Sequence, residues 1–221
     1  MLGCPERSSR GAEVFITLEG GEGVGKSTQA KLLAERLAME GYPVLRTREP
    51  GGSPGAEALR ELLLCKSRPW AGGWAPLAET LLHFAARAEH VAFTLRPALA
   101  AGILAVCDRF TDSTIAYQGY GQGADQATIG QLAGMIGLRP DLTLILCLSR
   151  EDAKRRLAGR AVPRDRYEAL DEAFHERVVQ GYRRIAATEP GRCIEIAAGG
   201  DVEQVRALVW DAVRVRLPPL G

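Results

Sequence analysis

Eight consecutive residues, Gly20-Gly21-Glu22-Gly23-Val24-Gly25-Lys26-Ser27, carry the most specific chemistry in the chain. They fit G-x-x-x-x-G-K-[ST], a loop whose glycines let backbone N–H groups turn inward around phosphate oxygens. Lysine at the seventh position suits the β- and γ-phosphates of a nucleotide, and the serine hydroxyl after it suits Mg²⁺. The flanks are what such a loop needs. Val14-Phe15-Ile16-Thr17-Leu18 is apolar and β-branched enough for a buried strand, while Leu32, Leu33, Leu37 and Ala38 recur at helical spacing. The N–H groups and macrodipole at that helix's start add positive potential. Residues 20–28, from Gly20 and Gly21 through Glu22, Gly23, Val24, Gly25, Lys26 and Ser27 to Thr28, are therefore expected to bind the phosphates of a nucleotide.

Strand-like runs near 13–18, 43–47, 103–107, 142–148 and 193–196 must position this loop. Helical patterns separate them near 26–40, 55–66, 75–101, 126–136, 150–158, 168–188 and 201–216. Such alternation predicts an α/β fold, a parallel sheet covered by helices on both faces. Ligands then gather beyond the carboxyl ends of the strands. The 19–27 loop, the Arg48-Glu49-Pro50 segment and the Asp108-Arg109 pair share that rim. The basic, poorly patterned stretch 159–167 between two helices reads as a lid.

The chain's 221 residues, 46% of them apolar, suit one domain over 13–221 with a flexible polar extension at 1–12. No apolar run is long enough for a bilayer, and the extension lacks the apolar segment of a signal peptide. Five cysteines form no CxxC pair, and their odd number favours a reducing, cytoplasmic setting. Net charge of +1 gives no general reason to bind nucleic acid or an anionic membrane. Neither a Ser/His/Asp triad nor a His/Cys metal cluster competes with the phosphate loop.

Three further segments narrow the chemistry. Residues 108–118 read DRFTDSTIAYQ, 46–54 read RTREPGGSP, and 164–168 read RDRYE ahead of Phe174-His175-Glu176-Arg177-Val178. Together with the loop they resemble the thymidylate kinase family over nearly the whole chain. The resemblance implies a P-loop NTPase three-layer sandwich with a five-stranded parallel sheet flanked by helices, assembled as a homodimer. It implies transfer of the γ-phosphoryl group of ATP to dTMP, giving dTDP and ADP for DNA precursor synthesis, with Mg²⁺ as cofactor. An acceptor phosphate monoester is largely a dianion at neutral pH, so the difficulty is bringing two polyanions together. Catalysis then rests on positioning and positive charge rather than on a general base.

By the same resemblance, Arg109 grips the dTMP phosphate with Arg60 as second clamp, and Asp108 joins Ser27 in the magnesium network. Glu22 approaches the sugar 3′-hydroxyl or its cation, with Glu49 and Pro50 nearby. Arg48 is open to pairing with Glu49 or Glu19. Arg87 donates to a thymine carbonyl; Ser113, Thr114 and Gln118 lie on the 108–118 segment, and Thr114 and Gln118 reach the remaining imide edge. Tyr117 packs beneath the deoxyribose. Where the family has phenylalanine one turn before the base-reading arginine, this chain has His83 followed by Phe84, and either ring is a candidate to stack on the base. His90 and His175 read as surface or packing residues. Gly23 occupies the position where some family members carry a catalytic arginine, which points instead to Arg160 and Arg164 of the lid, with Arg166 open to a structural role. Adenine is expected between the helix bearing Arg155 and the turn near Ala197-Ala198.

Overall fold

Strand β1 (Phe15–Glu19) is buried at every position, which requires cover on both faces. A computed structural model describes residues 14–65, 73–159 and 166–219 and supplies that cover. β1 lies in the middle of a five-stranded parallel sheet with β2 (Val44–Arg48), β3 (Leu104–Asp108), β4 (Leu142–Cys147) and β5 (Cys193–Ala197), in the order β2-β3-β1-β4-β5. Alternate side chains of β1 go to opposite layers. Ile16 and Leu18 join Leu33, Leu37, Val205 and Val209, on α1 (Lys26–Met39) and α9 (Val202–Arg214). Phe15 packs on the other face with Val91, Leu95 and Phe110.

Register sets the rim. Leu18 pairs with Asp108, and Asp108 pairs with Arg48, so the ends of β1, β3 and β2 lie in one row. The phosphate loop rises between β1 and α1 at the point where the strand order changes direction, the crevice in which open α/β sheets bind ligands.

The remaining helices are α2 (Pro54–Leu64), α3 (Pro76–His90), α4 (Arg96–Ala100), α5 (Thr111–Thr114), α6 (Gln126–Ile136), α7 (Arg150–Ala158) and α8 (Glu172–Thr188). α2 starts where Ser53 accepts from the Ala56 N–H with Pro54 in the first turn. The single helix expected over 75–101 is interrupted by a π-helical stretch at Val91–Leu95, with Pro97 two residues beyond it, which has no N–H for a regular helical bond to Phe93. A second π-helical stretch, Ile115–Gly121, continues α5 and packs against α8. Gly181 of α8 makes this possible, since a Cβ there would meet the Tyr120 ring at 2.7 Å. No described helix is long and apolar enough to cross a membrane. The 1–12 extension, Arg160 and Arg164 lie outside the described residues.

Candidate active site

Above the strand ends lies a cavity of about 380 Å³ bordered by Lys26, Ser27, Arg60, Asp108, Arg109 and Tyr117 at one end and by His83, Arg87, Thr114 and Gln118 at the other. Thus the phosphate loop and the 108–118 segment, far apart in sequence, share one enclosure. In the loop, buried Lys26 donates through Nζ to the Gly21 carbonyl at 2.6 Å. Burial pushes its ammonium down to about 8, with the charge of Arg109 acting the same way. Gly23 has φ +78°, and a Cβ there would lie 2.7 Å from the Ala153 carbonyl of α7. The loop is therefore pressed against the helix that leads to the lid segment, and no side chain fits between them.

Arg109 holds a left-handed backbone with φ 73°. From there its guanidinium donates to Glu22 Oε1 at 2.7 Å, Tyr117 Oη at 3.2 Å and Ser113 Oγ at 3.1 Å, and lies 4.8 Å from the Tyr117 ring centroid. The Tyr117 hydroxyl donates to Glu22 at 2.8 Å. Burial opposes charge on Glu22, but Arg109, Lys26 and the Tyr117 hydroxyl outweigh it and hold the carboxyl at about 2. Beneath this group, fully buried Glu19 accepts from the Phe110 N–H at 2.7 Å, Ser113 Oγ at 2.6 Å and Tyr182 Oη at 3.0 Å. Burial and the neighbouring Asp112 push its carboxyl well above the ordinary range. Glu19 thus braces the turn that aims Arg109.

At the other end, the buried Arg87 donates Nε to Glu49 Oε2 at 2.7 Å and Nη2 to the Phe110 carbonyl at 3.0 Å and Thr114 Oγ1 at 3.1 Å. Its Nη1 is buried with no hydrogen-bond partner among the described residues. His90, instead of being a surface or simple packing residue, is fully buried between Glu49 Oε1 (3.0 Å from Nδ1) and Thr47 Oγ1 (2.8 Å from Nε2). His83 borders the cavity, whereas Phe84 turns into the core, 4.7 Å from the Arg87 guanidinium. Of the two candidates for stacking, only His83 is so placed. Arg60 donates to the Pro50 carbonyl at 2.7 Å. Arg48 pairs with Glu57 at 3.0 Å rather than with Glu49 or Glu19.

A family model described as thymidylate kinase matches residues 18–209. A thymidylate kinase from Synechococcus sp. (strain JA-2-3B'a(2-13)) is 53% identical over 207 residues, 93% of this chain and 96% of that protein. One from Gluconobacter oxydans (strain 621H) is 50% identical over 215 residues, covering 96% and 99%. The crystal structure of thymidylate kinase from Ehrlichia chaffeensis superposes with a TM-score of 0.74 at 37% identity, over 91% of this chain and 98% of that one. The chain belongs to the thymidylate kinase family. Its α/β sheet is accordingly a P-loop NTPase fold, and it is an ATP-dependent phosphotransferase.

Within this thymidylate kinase framework, the placement of Arg155 differs from expectation and several residues are new. Arg155 is exposed and paired with Asp152 at 3.0 Å. Its neighbour Arg156 instead reaches the turn after β5, donating to the Ala198 and Gly200 carbonyls at 2.8 and 3.0 Å. One residue of helix rotates a side chain by about 100°, so spacing alone could not separate the two. Of the lid arginines, Arg166 is described, and it pairs with buried Glu79 at 2.5 Å. Tyr167 borders the cavity and donates to Glu79 at 2.7 Å. Glu19, Glu79, His90, Tyr167 and Arg156 also belong to the site, although no motif in the sequence assigns them a role. For Glu79 a signal existed: Glu79, His83, Arg87 and His90 recur at helical spacing, a polar stripe on one face of the segment.

Proposed function

We propose that the chain transfers the γ-phosphoryl group of ATP to dTMP, releasing dTDP and ADP for DNA precursor synthesis. The observation that carries this reading is Arg87: a buried guanidinium at the cavity wall, clamped by Glu49 and Thr114, with one NH₂ lacking a partner among the described residues. An unsatisfied buried donor costs about 1–3 kcal/mol, which a pyrimidine carbonyl would recover. Tyr117, fixed by Glu22 and Arg109, supplies a flat surface for deoxyribose, and Glu22 an acceptor for its 3′-hydroxyl. His83 stacks on the base.

The acceptor phosphate lies between Arg109 and Arg60 and the donor phosphates in the 20–28 loop with Lys26. In-line transfer breaks the bond from the γ-phosphorus to the bridging oxygen and forms one to an oxygen of dTMP; that oxygen is already ionised, so no base removes a proton. Lid residues Arg160 and Arg164 complete the positive shell as arginine fingers. Adenine lies near the turn that Arg156 braces.

The donor set fits Mg²⁺. Asp108 Oδ1 is buried without a partner among the described residues, while Oδ2 meets Ser27 Oγ. These are hard oxygens, and no cluster of three or more His, Cys, Asp or Glu ligands is found among the described residues. That suits an ion that keeps waters and binds substrate phosphates. When bound, Mg²⁺ would neutralise phosphate charge; Ser27 and Asp108 would hold it.

The enzyme works in the cytoplasm as a homodimer. The test is ATP-dependent turnover across dTMP, dUMP, dCMP and AMP. The expected result is highest kcat/KM for dTMP, lost on Lys26→Ala with the fold retained; preference for AMP overturns the thymine reading.

A further inference from the structure

Glu79 is fully buried and does not border the cavity, yet four donors converge on it. Its Oε1 accepts from Gln118 Nε2 at 3.0 Å, Gln122 Nε2 at 2.7 Å and the Tyr167 hydroxyl at 2.7 Å. Arg166 Nη2 sits 2.5 Å from Oε2 and balances the charge. An ionised carboxylate can only accept. Gln118 must therefore turn its NH₂ toward Glu79, which leaves its carbonyl oxygen for the cavity side. Tyr167 spends its single hydroxyl proton on Glu79, so its oxygen accepts from Gln118 Nε2 at 3.2 Å and from His83 Nε2–H at 2.8 Å. One buried charge thus fixes an amide orientation, a hydroxyl rotor and an imidazole tautomer along the wall next to Arg87. The helix makes this possible: Glu79, His83 and Arg87 are spaced by four residues on one face of α3.

We propose that Glu79 is a positioning residue for base selection: by holding Gln118 as an acceptor beside the Arg87 donor, it makes the wall complementary to a pyrimidine that presents a ring N–H next to a carbonyl. A pyrimidine presenting a bare ring nitrogen next to an amine instead sets acceptor against acceptor at Gln118 and donor against donor at Arg87. The inference rests on the dTMP reading above and adds to it the residue that sets the wall's polarity without touching the base.

Glu79→Gln keeps the shape but substitutes a group that donates as well as accepts, freeing Gln118 to flip. Glu79→Asp keeps an acceptor-only group. The quantity to measure is the ratio of kcat/KM for dTMP to kcat/KM for dCMP at fixed ATP, with thermal unfolding as a check on folding. Glu79→Gln is expected to lower that ratio by about tenfold or more, since a mispaired polar edge is worth at least that. Glu79→Asp should keep it even if both rates fall. If Glu79→Gln does not fold, Tyr167→Phe, which removes one of the two acceptors of Gln118, should lower the same ratio. An unchanged ratio in the folded variant, or equal loss in Glu79→Asp and Glu79→Gln, overturns the proposal and leaves Glu79 a purely structural acid. A parent enzyme with no preference for dTMP over dCMP overturns the base reading itself, before any variant is considered.

Discussion

Two residues of one loop show how burial and charge divide the work. Glu22 and Lys26 are both buried, yet Glu22 is held at about 2 by Arg109, Lys26 and Tyr117 against its desolvation. It stays ionised at any working pH, and its stabilising contribution is present above the ordinary carboxylate value of 4.5 and lost as pH falls toward 2. Lys26 also moves down, but for the opposite reason: desolvation and the nearby Arg109 cation disfavour its charged form, and its ammonium falls from 10.5 to about 8. Because the folded value lies below the unfolded one, charging Lys26 works against folding below about 8, and this cost is relieved as pH rises toward 10.5. The functional sign is also set. In the free protein Lys26 loses its positive charge above about 8, when the triphosphate needs it. Bound phosphates restore the proton, because an adjacent negative charge favours the ammonium. We expect kcat/KM for ATP to fall above about pH 8, whereas kcat at saturating ATP and dTMP holds to higher pH, since the first reports free protein and the second the complex. Paired pH–rate profiles check this; one shared alkaline limb would assign the titration elsewhere.

Among the elements, strands were the most legible in the sequence. The runs expected near 43–47, 103–107 and 193–196 appear as Val44–Arg48, Leu104–Asp108 and Cys193–Ala197, because short runs of apolar and β-branched residues bounded by loops mark strands even at the partly exposed sheet edges. The helical stretch from Thr111 to Gly121 was not anticipated. Its Thr, Ser, β-branched and Gly residues are poor helix formers, and packing against α8 decides its conformation. For the same reason the motif residues Thr114, Tyr117 and Gln118 are recognisable by type, while Glu79 and Tyr167, which orient Gln118, come from other elements. In sequence Gly23 marks the absence of a catalytic arginine, and its contact with α7 adds a steric reason: neither the positive φ nor the approach of the Ala153 carbonyl tolerates a side chain. Gly23→Ala is expected to destabilise the protein by about 1–3 kcal/mol and to raise KM for ATP, because the loop must move off α7. Denaturant unfolding and ATP titration test it; unchanged stability would mean that the loop and α7 are not in tight contact.

Taken whole, the molecule carries α3 inside out. Glu79, His83, Arg87 and His90 face inward, and Leu77, Leu81, Ala85, Ala88 and Ala92 are exposed along the opposite face at helical spacing. Leu77 is 55% and Leu81 47% exposed, with Phe93 at 69% just beyond. A continuous apolar stripe of this length is unusual on a monomer, and its three alanines would let a second helix approach closely. A second copy of the same stripe, related by a two-fold axis, is the simplest occupant, since such an interface is self-complementary. On the homodimer proposed above, α3 would have two tasks, its outer face joining the subunits and its inner face reading the base. The two faces are then linked through one rigid helix. Ala88→Glu places a charge in the stripe, adjacent to Arg87 but directed away from it. We expect it to sediment as one chain where the parent sediments as two, and to lower kcat/KM for dTMP more than that for ATP, because the helix that loses its support carries His83 and Arg87 but none of the phosphate loop. Sedimentation equilibrium with both kinetic titrations decides the matter. A variant that still sediments as two chains would place the subunit contact on another face, and a monomer with unaltered dTMP kinetics would separate the two tasks of α3.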